Sequence, residues 1–581
     1  MTHGETLAGR APRADERGRP GAALRHAPRI TVALFLVPIG AGLLGTVLPA
    51  FGWLPGLQTP HWTLAPWRAL WAEPGLGTAV GLTLMSGLSA TILAVALVFG
   101  CCAHLSHRPP GRLMRGLTAP ILAAPHAAMA IGVGFLLAPS GWIVRLLSPW
   151  LTGWHQPPDI ATVQDPYGIA LTVGLLVKEI PYLLLMSLSA LGQVPVRRQL
   201  EVAAALGYGR TSAWLKLVLP QLYAQLRLPI YAVLAYALSV VDMALILGPG
   251  NPPTLSVLAL RGFSSPHVQL YFPAAAAAVL QLAIVAACIA AWRAGEVLIA
   301  SLARRWIARG ARHSVLEPLA ALARGVVGAL TLLGASSLLA LAVWSVAAVW
   351  RFPDLLPQRW SGAVWHQQAG TLLWPLGTTL LVAAAASAAA LLLVLACLEE
   401  EQRRAAPVRS RMLWWLYVPL LVPQIAFLFG TQVLFTVLRL DGTLLAVIWS
   451  HLLFVLPYVF LSLADPWRAL DPRYARTALA LGSSPARVFL RIKLPLLLRP
   501  VLVAAAVGVA VSVDQYLPTI FAGAGRVVTL TSEAVTLASG GDRRVTGVFA
   551  VLQSVLPLAG YGFAVLVPRL TRGPWRARSA S

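Results

Sequence analysis

Apolar residues along this chain come in long, nearly unbroken runs, and charged residues come in short clusters between them. A helix needs about twenty predominantly apolar residues to cross a bilayer, because a backbone in lipid must satisfy its own N–H and C=O groups. Twelve runs reach that length: 30–52, 78–103, 116–139, 167–192, 228–248, 271–292, 325–350, 371–397, 412–436, 442–463, 498–518 and 545–568. The pattern predicts an all-α polytopic membrane protein with about twelve transmembrane helices.

The distribution of basic residues tests that count. With the N-terminus on the inner side, 35 of the 45 Lys and Arg fall in inner segments, nine in outer loops, and Lys178 inside a span. Inner loops collect Lys and Arg, and the bias holds at every inner segment. Losing or adding a span would destroy it. Both termini are therefore expected in the cytoplasm. Residues 1–29 read as an arginine-rich tail ahead of an uncleaved first span, because the run after Arg29 is too long and too late for a cleaved signal peptide.

Composition agrees. The 581 residues are 58% hydrophobic and 11% charged, far below the quarter or so of charged residues usual in soluble chains. The net charge of +24 reads as topology signal and contact with anionic lipid; no basic groove or aromatic-interleaved module points to nucleic acid. Four cysteines, Cys101, Cys102, Cys288 and Cys397, lie in or beside apolar runs without metal-binding spacing and read as packing residues.

The chain repeats itself. Ile180-Pro181-Tyr182 is followed by Glu201-Val202-Ala203-Ala204-Ala205-Leu206-Gly207 and by Leu219-Pro220. Leu456-Pro457-Tyr458 is followed by Arg476-Thr477-Ala478-Leu479-Ala480-Leu481-Gly482 and by Leu494-Pro495. Both the glycines and the closing prolines are 275 residues apart. Ser239-Val240-Val241-Asp242 echoes Ser512-Val513-Asp514, and Pro120 and Pro125 echo Pro419 and Pro423. Two tandem six-helix repeats in the same orientation follow: 30–292 (core 78–292) and 325–568 (core 371–568), joined by an arginine-rich cytoplasmic linker, 293–324, with a tail at 569–581.

Each landmark segment is an inner loop between the fourth and fifth spans of its repeat. The Ala/Leu-rich stretch to Leu206 favours helix, Gly207 and Gly209 permit a sharp turn, and Thr211 or Ser212 can cap a second short helix that Pro220 closes. Gly482 and Ser483-Ser484-Pro485 repeat the design. Such a knob docks into another protein or lies on the bilayer as an amphipathic helix. The spacing resembles the EAA motif of ABC importer permeases: Glu-x-Ala, Gly six residues after the Glu, and hydrophobic-Pro thirteen after the Gly. Glu201, Ala203, Gly207, Leu219 and Pro220 match in the first copy. Ala478, Gly482, Leu494 and Pro495 match in the second, where Arg476 replaces the Glu.

That resemblance covers most of the chain and implies the type I importer permease fold. Two cytoplasmic ABC ATPase copies would dock, one on each loop, and a periplasmic substrate-binding protein would deliver solute. ATP would be used by the partner alone, with no cofactor on this chain. Arg476 implies unequal docking. The fused arrangement is similar to iron(III)- and thiamine-type permeases, and Leu247 to Leu255 resembles a fused permease of a thiamine system, so a small cationic solute is expected. A twelve-span secondary transporter driven by an ion gradient is the rival, and it has no reason to keep paired EAA-like loops.

Charged residues inside spans are costly and often mark pathways. Glu179, Asp242 and Asp514 are candidates to line the translocation path, or alternatively to hydrogen-bond across the bundle and hold the halves together. Lys178 adjoins Glu179, and His126 and Gln424 follow matching prolines. Pro125, Pro181, Pro423 and Pro457 can kink their helices and serve as hinges, or serve packing alone. No phosphate-cradling GxxxxGK[ST], metal pair or supported nucleophile is present, so no enzymatic activity and no bound metal are expected.

Overall fold

The computed structural model describes residues 24–54, 62–105, 112–310, 312, 317–404 and 418–571. Residues 1–23, the start of the ninth apolar run and residues 572–581 lie outside that set. A helix occupies each of the twelve apolar segments: α1 (Ala27–Ala50), α2 (Leu76–Leu105), the pair α3 (Arg112–Ala123) and α4 (His126–Leu137), and α5 (Ile169–Leu191). After α6 (Val196–Ala205) come α7 (Leu219–Ser239), α8 (Asp242–Leu247), α9 (Leu255–Phe263) and α10 (Tyr271–Ala308). Next are α11 (Glu317–Val346), α12 (Ala363–Arg404), α13 (Ile425–Val437), α14 (Leu444–Arg468) and α15 (Pro472–Ala480). The chain ends with α16 (Leu498–Val513), α17 (Leu517–Gly523), α18 (Leu530–Ala538) and α19 (Arg543–Thr571).

Ten helices among the described residues are long and apolar enough to cross a membrane, eleven if the pair bent by 78° at Leu497 counts as one. The short apolar helix α13 adds a further candidate. The protein is an all-α polytopic membrane protein; the only strands described are the short pair Ala347–Val349 and Arg359–Trp360.

Three expectations need correction. The fifth and eleventh runs are not continuous over 228–248 and 498–518: their helices end at Ser239 and Val513, and the chain restarts at α8 and α17. Hydropathy does not register such a break, because the residues after it are equally apolar. Pro220 does not close a short helix. Residues Arg210 to Ser239 run on as one helix through a π-helical turn at Trp214–Val218, and Pro220 falls in the first turn of α7, where its missing N–H costs little. Neither Thr211 nor Ser212 caps the element; Gly209 is the N-cap, and both side chains are buried.

Packing follows the same plan in both halves. In the first, α2, α5 and α7 pack on one another; in the second, α12, α14 and α16 do. The leading helix of each half crosses over, with α1 on α13 and α11 on α2 and α4. Small residues permit the first crossing. A Cβ on Gly430 would come within 2.0 Å of the Gly42 carbonyl oxygen, and one on Gly42 within 2.4 Å of the Phe427 carbonyl oxygen. Apolar side chains gain little by leaving lipid for protein, so close backbone approach and interhelical hydrogen bonds carry helix association. Here Gly430 N donates to Thr46 Oγ1 (3.1 Å), Thr431 Oγ1 to the Pro38 carbonyl (3.2 Å), and Trp449 Nε1 to the Leu34 carbonyl (3.0 Å).

The expected outcome of Gly430→Ala is a loss of roughly 1–3 kcal/mol from overpacking, read as a lower melting temperature of the purified protein in detergent. Gly77→Ala, whose Cβ would meet nothing within 4 Å, should melt like the unaltered chain.

Candidate functional site

The two landmark segments adopt one shape. In the first, α6 ends at a left-handed Gly207 (φ +77°), where Gly207 N donates to the Ala204 carbonyl and Tyr208 N to the Ala203 carbonyl, both at 3.0 Å. In the second, α15 ends at a left-handed Gly482 (φ +84°), with Gly482 N on the Leu479 carbonyl and Ser483 N on the Ala478 carbonyl, again at 3.0 Å. Only glycine takes that conformation readily. A helix starts after each turn, N-capped by Gly209 in the first copy and by Ser484 in the second, and passes through a π-helical turn, Trp214–Val218 or Phe489–Lys493; the first runs on to Ser239 and the second bends by 78° at Leu497. Ala203 and Ala478 are buried, so a larger side chain there would lift the helix from its seat. Val202, Leu206, Leu479 and Leu481 stay exposed, as do Ala204, Glu201, Arg476, Pro220 and Pro495; Leu219 and Leu494 are half-buried. Glu201 meets Arg197 one turn away at 2.8 Å, and Arg476 has no such option.

The supports beneath the two turns differ. Under the first, the Lys216 ammonium lies 4.5 Å from the Trp306 ring and 5.2 Å from the Tyr208 ring, and Gly209 N donates to the Arg312 carbonyl at 2.7 Å. Trp306 and Arg312 belong to the linker. Under the second, buried Lys493 pairs with buried Glu399 of α12 (2.7 Å) and donates to Gln402 (2.8 Å), while Arg403 holds the other Glu399 oxygen at 2.8 Å. Arg468 grips Glu401 with two bonds of 3.0 and 3.1 Å. Sequence reading missed this clamp, whose signal is the acidic run Glu399-Glu400-Glu401 closing an apolar helix.

Inside the membrane, the helix pair α3–α4 is broken at Pro125, which has no N–H for the carbonyl four residues earlier. Lys178 of α5 serves the end of α3: its ammonium donates to the carbonyls of Ala124 (2.5 Å), Ile121 and Leu122 (both 3.3 Å). Asp514, at the end of α16 in the other half, serves the start of α4. It accepts from His126 N at 2.6 Å and meets His126 Nδ1 in a short contact. A cation at a helix C-terminus and an anion at an N-terminus both suit the peptide dipoles.

Glu179 and Asp242 lie within range of the same charges, Glu179 of His126 and Lys178, Asp242 of His126 and Asp514. The three carboxylates singled out from sequence are thus brought together. Tyr236, Tyr458 and Tyr516 join them and were missed, although Tyr458 belongs to the Leu-Pro-Tyr landmark. Of the four prolines, Pro125 and Pro423 stand at helix breaks, whereas the helices continue through Pro181 and Pro457.

Breaking one partner of a buried pair costs roughly 3–5 kcal/mol, and removing both can cost little. Lys493→Met alone should therefore melt far below the unaltered protein, and the double variant Lys493→Met, Glu399→Gln should recover most of the loss in a thermal-unfolding cycle.

No family model matches the chain. It is 33% identical over 518 residues, 88% of its own length and 92% of the other's, to the inner membrane ABC transporter permease protein YnjC of Escherichia coli (strain K12). Similarity at that level across nearly both whole lengths leaves no room for a chance match of apolar helices, and the chain belongs to the ABC transporter permeases.

Proposed function

We propose that this chain is the translocation subunit of an ATP-driven importer in the bacterial cytoplasmic (inner) membrane. Its two tandem repeats, 30–292 and 325–568, enclose the path, with the tails and the 293–324 linker on the cytoplasmic side. The observation that carries the reading is the recurrence, 275 residues apart, of one helix, left-handed glycine and π-turn element with apolar side chains left exposed. An even number of apolar spans between them supports the reading that both elements face the same side of the membrane. Each receives one copy of a cytoplasmic ABC ATPase, which binds the ATP, and a periplasmic substrate-binding protein serves the opposite face.

Closure of the ATPase pair draws the two elements together. The second element is tied through Lys493 and Glu399 to α12 and leads directly into α16; the first leads into α7 and leans on the linker. Rotation of each half, with its exchanged leading helix, opens the central carboxylate site outward, and hydrolysis returns it inward. Breaks at Pro125 and Pro423 supply joints within the moving bundles. Glu179, Asp242 and Asp514 favour a small cationic solute, of thiamine or ferric iron type. Arg476, opposite in charge to Glu201, makes the two dockings unequal.

Co-expression with the candidate ATPase and affinity capture tests this. Proline cannot adopt the positive φ of Gly207 or Gly482, so Gly207→Pro and Gly482→Pro should each weaken capture about tenfold or more, a difference of about 1.4 kcal/mol, and the double variant should abolish it. If the unaltered chain captures no ATPase, and vesicles take up solute on a proton gradient without ATP, the ion-gradient carrier is correct instead.

A further inference from the structure

The central charges are not equivalent once their partners are assigned. Lys178 is committed to the carbonyls at the end of α3, and Asp514 to the N–H and ring of His126. Glu179 is 94% buried, with 6% exposure, and takes part in no hydrogen bond or close ion pair among the described residues. Asp242 accepts from the backbone N–H groups of Asp242 and Met243 at the start of α8. The Tyr236 hydroxyl is buried and without a partner among the described residues, and its ring lies 4.7 Å from that of His126. The cluster is open to solvent: the His126 and Asp514 side chains keep 25% and 21% exposure.

We propose that Glu179, Asp242 and the Tyr236 phenol form the intramembrane binding site for an organic cation, with Tyr458 and Tyr516 as neighbouring walls. This deepens the proposed function and rests on it for the direction of transport. A buried carboxylate without a partner is expensive, and a cation entering the space removes that cost. Donor geometry selects the kind of cation. Among the described residues no three His, Cys, Asp or Glu side chains stand close enough to hold a metal ion. Two carboxylates with a tyrosine ring in range of both suit instead a larger ion of spread charge, which tyrosine rings attract through their faces.

The test uses the full-length chain in lipid nanodiscs, with thiamine and tetraethylammonium as organic cations and ferric citrate as the iron source, read by equilibrium radioligand binding and thermal unfolding. Saturable binding of an organic cation is expected, weakened about tenfold or more in Glu179→Gln and Asp242→Asn and by no more than about threefold in Glu179→Asp, where tenfold corresponds to about 1.4 kcal/mol. Glu179→Gln should melt at or above the unaltered protein, because it removes a buried charge that no hydrogen bond answers, and Asp242→Asn, which keeps an acceptor for the backbone N–H groups, should fold normally. Tyr236→Phe should fold normally and bind more weakly. Four results would overturn the site: unchanged affinity in the Gln and Asn variants, charge-dependent binding of iron in place of organic cations, no binding of either organic cation, or loss of binding together with early melting. ATPase capture should be unaltered in every variant. Cation binding without capture by the unaltered chain would leave the site standing and sink the ATP-driven reading.

Discussion

A helix in lipid cannot be interrupted unless something takes up the backbone groups it releases, and much of this structure is arranged around one interruption, at Pro125. The carbonyls at the end of α3 are met by Lys178 and the N–H at the start of α4 by Asp514. One partner comes from α5 in the first half and the other from the end of α16 in the second. The break is therefore also a bond between halves, made of charges that match the helix dipoles on both sides. Without Lys178, the end of α3 would face the bundle with bare carbonyls; without Asp514, the N–H of His126 would lose its partner.

That arrangement ties distant parts together. A single helix, α16, runs from just beyond the π-helical turn of the second landmark segment to Asp514. Sixteen residues at 1.5 Å each make it about 24 Å long. The segment at Lys493 and the His126 contact are thus joined by one helix with a 78° bend at its start. The first element acts through a different support, since its lysine is held by aromatic rings of the loop and the linker. Ion pairs on one side and cation–ring contacts on the other set the two supports apart, beyond the Glu201 and Arg476 difference that the sequence displays.

Hydropathy and arginine placement made the helical membrane architecture legible, because length and composition alone decide whether a helix spans. The turns at Gly207 and Gly482 were legible too: a fixed spacing ending in glycine has few backbone solutions. Breaks at Val240 and Asp514 were not, since apolar residues continue past them, and the same blindness hid the continuation of the helix through Pro220. Glu179, Asp242 and Asp514 could be picked out one by one as charges in apolar runs. Their assembly depends on helix packing across hundreds of residues, and no spacing encodes it. The tyrosines near them are ordinary membrane-helix residues until packing brings them within electrostatic range of those carboxylates.

Duplication explains why two aspartates at matched positions came to differ. The second half also breaks, at Pro423, but Gln424 follows where His126 follows in the first, and the positions corresponding to Lys178 and Glu179 hold buried Phe454 and Val455. No charge has to be answered there. Asp514 is spent on the first half's broken helix, and Asp242, near the same charges, accepts from backbone donors. A duplicated fold whose charge sits beside one break and not the other presents an off-centre site. In the proposed transport cycle such a site is held unequally by the two halves, while ATP hydrolysis in the partner gives the cycle its direction.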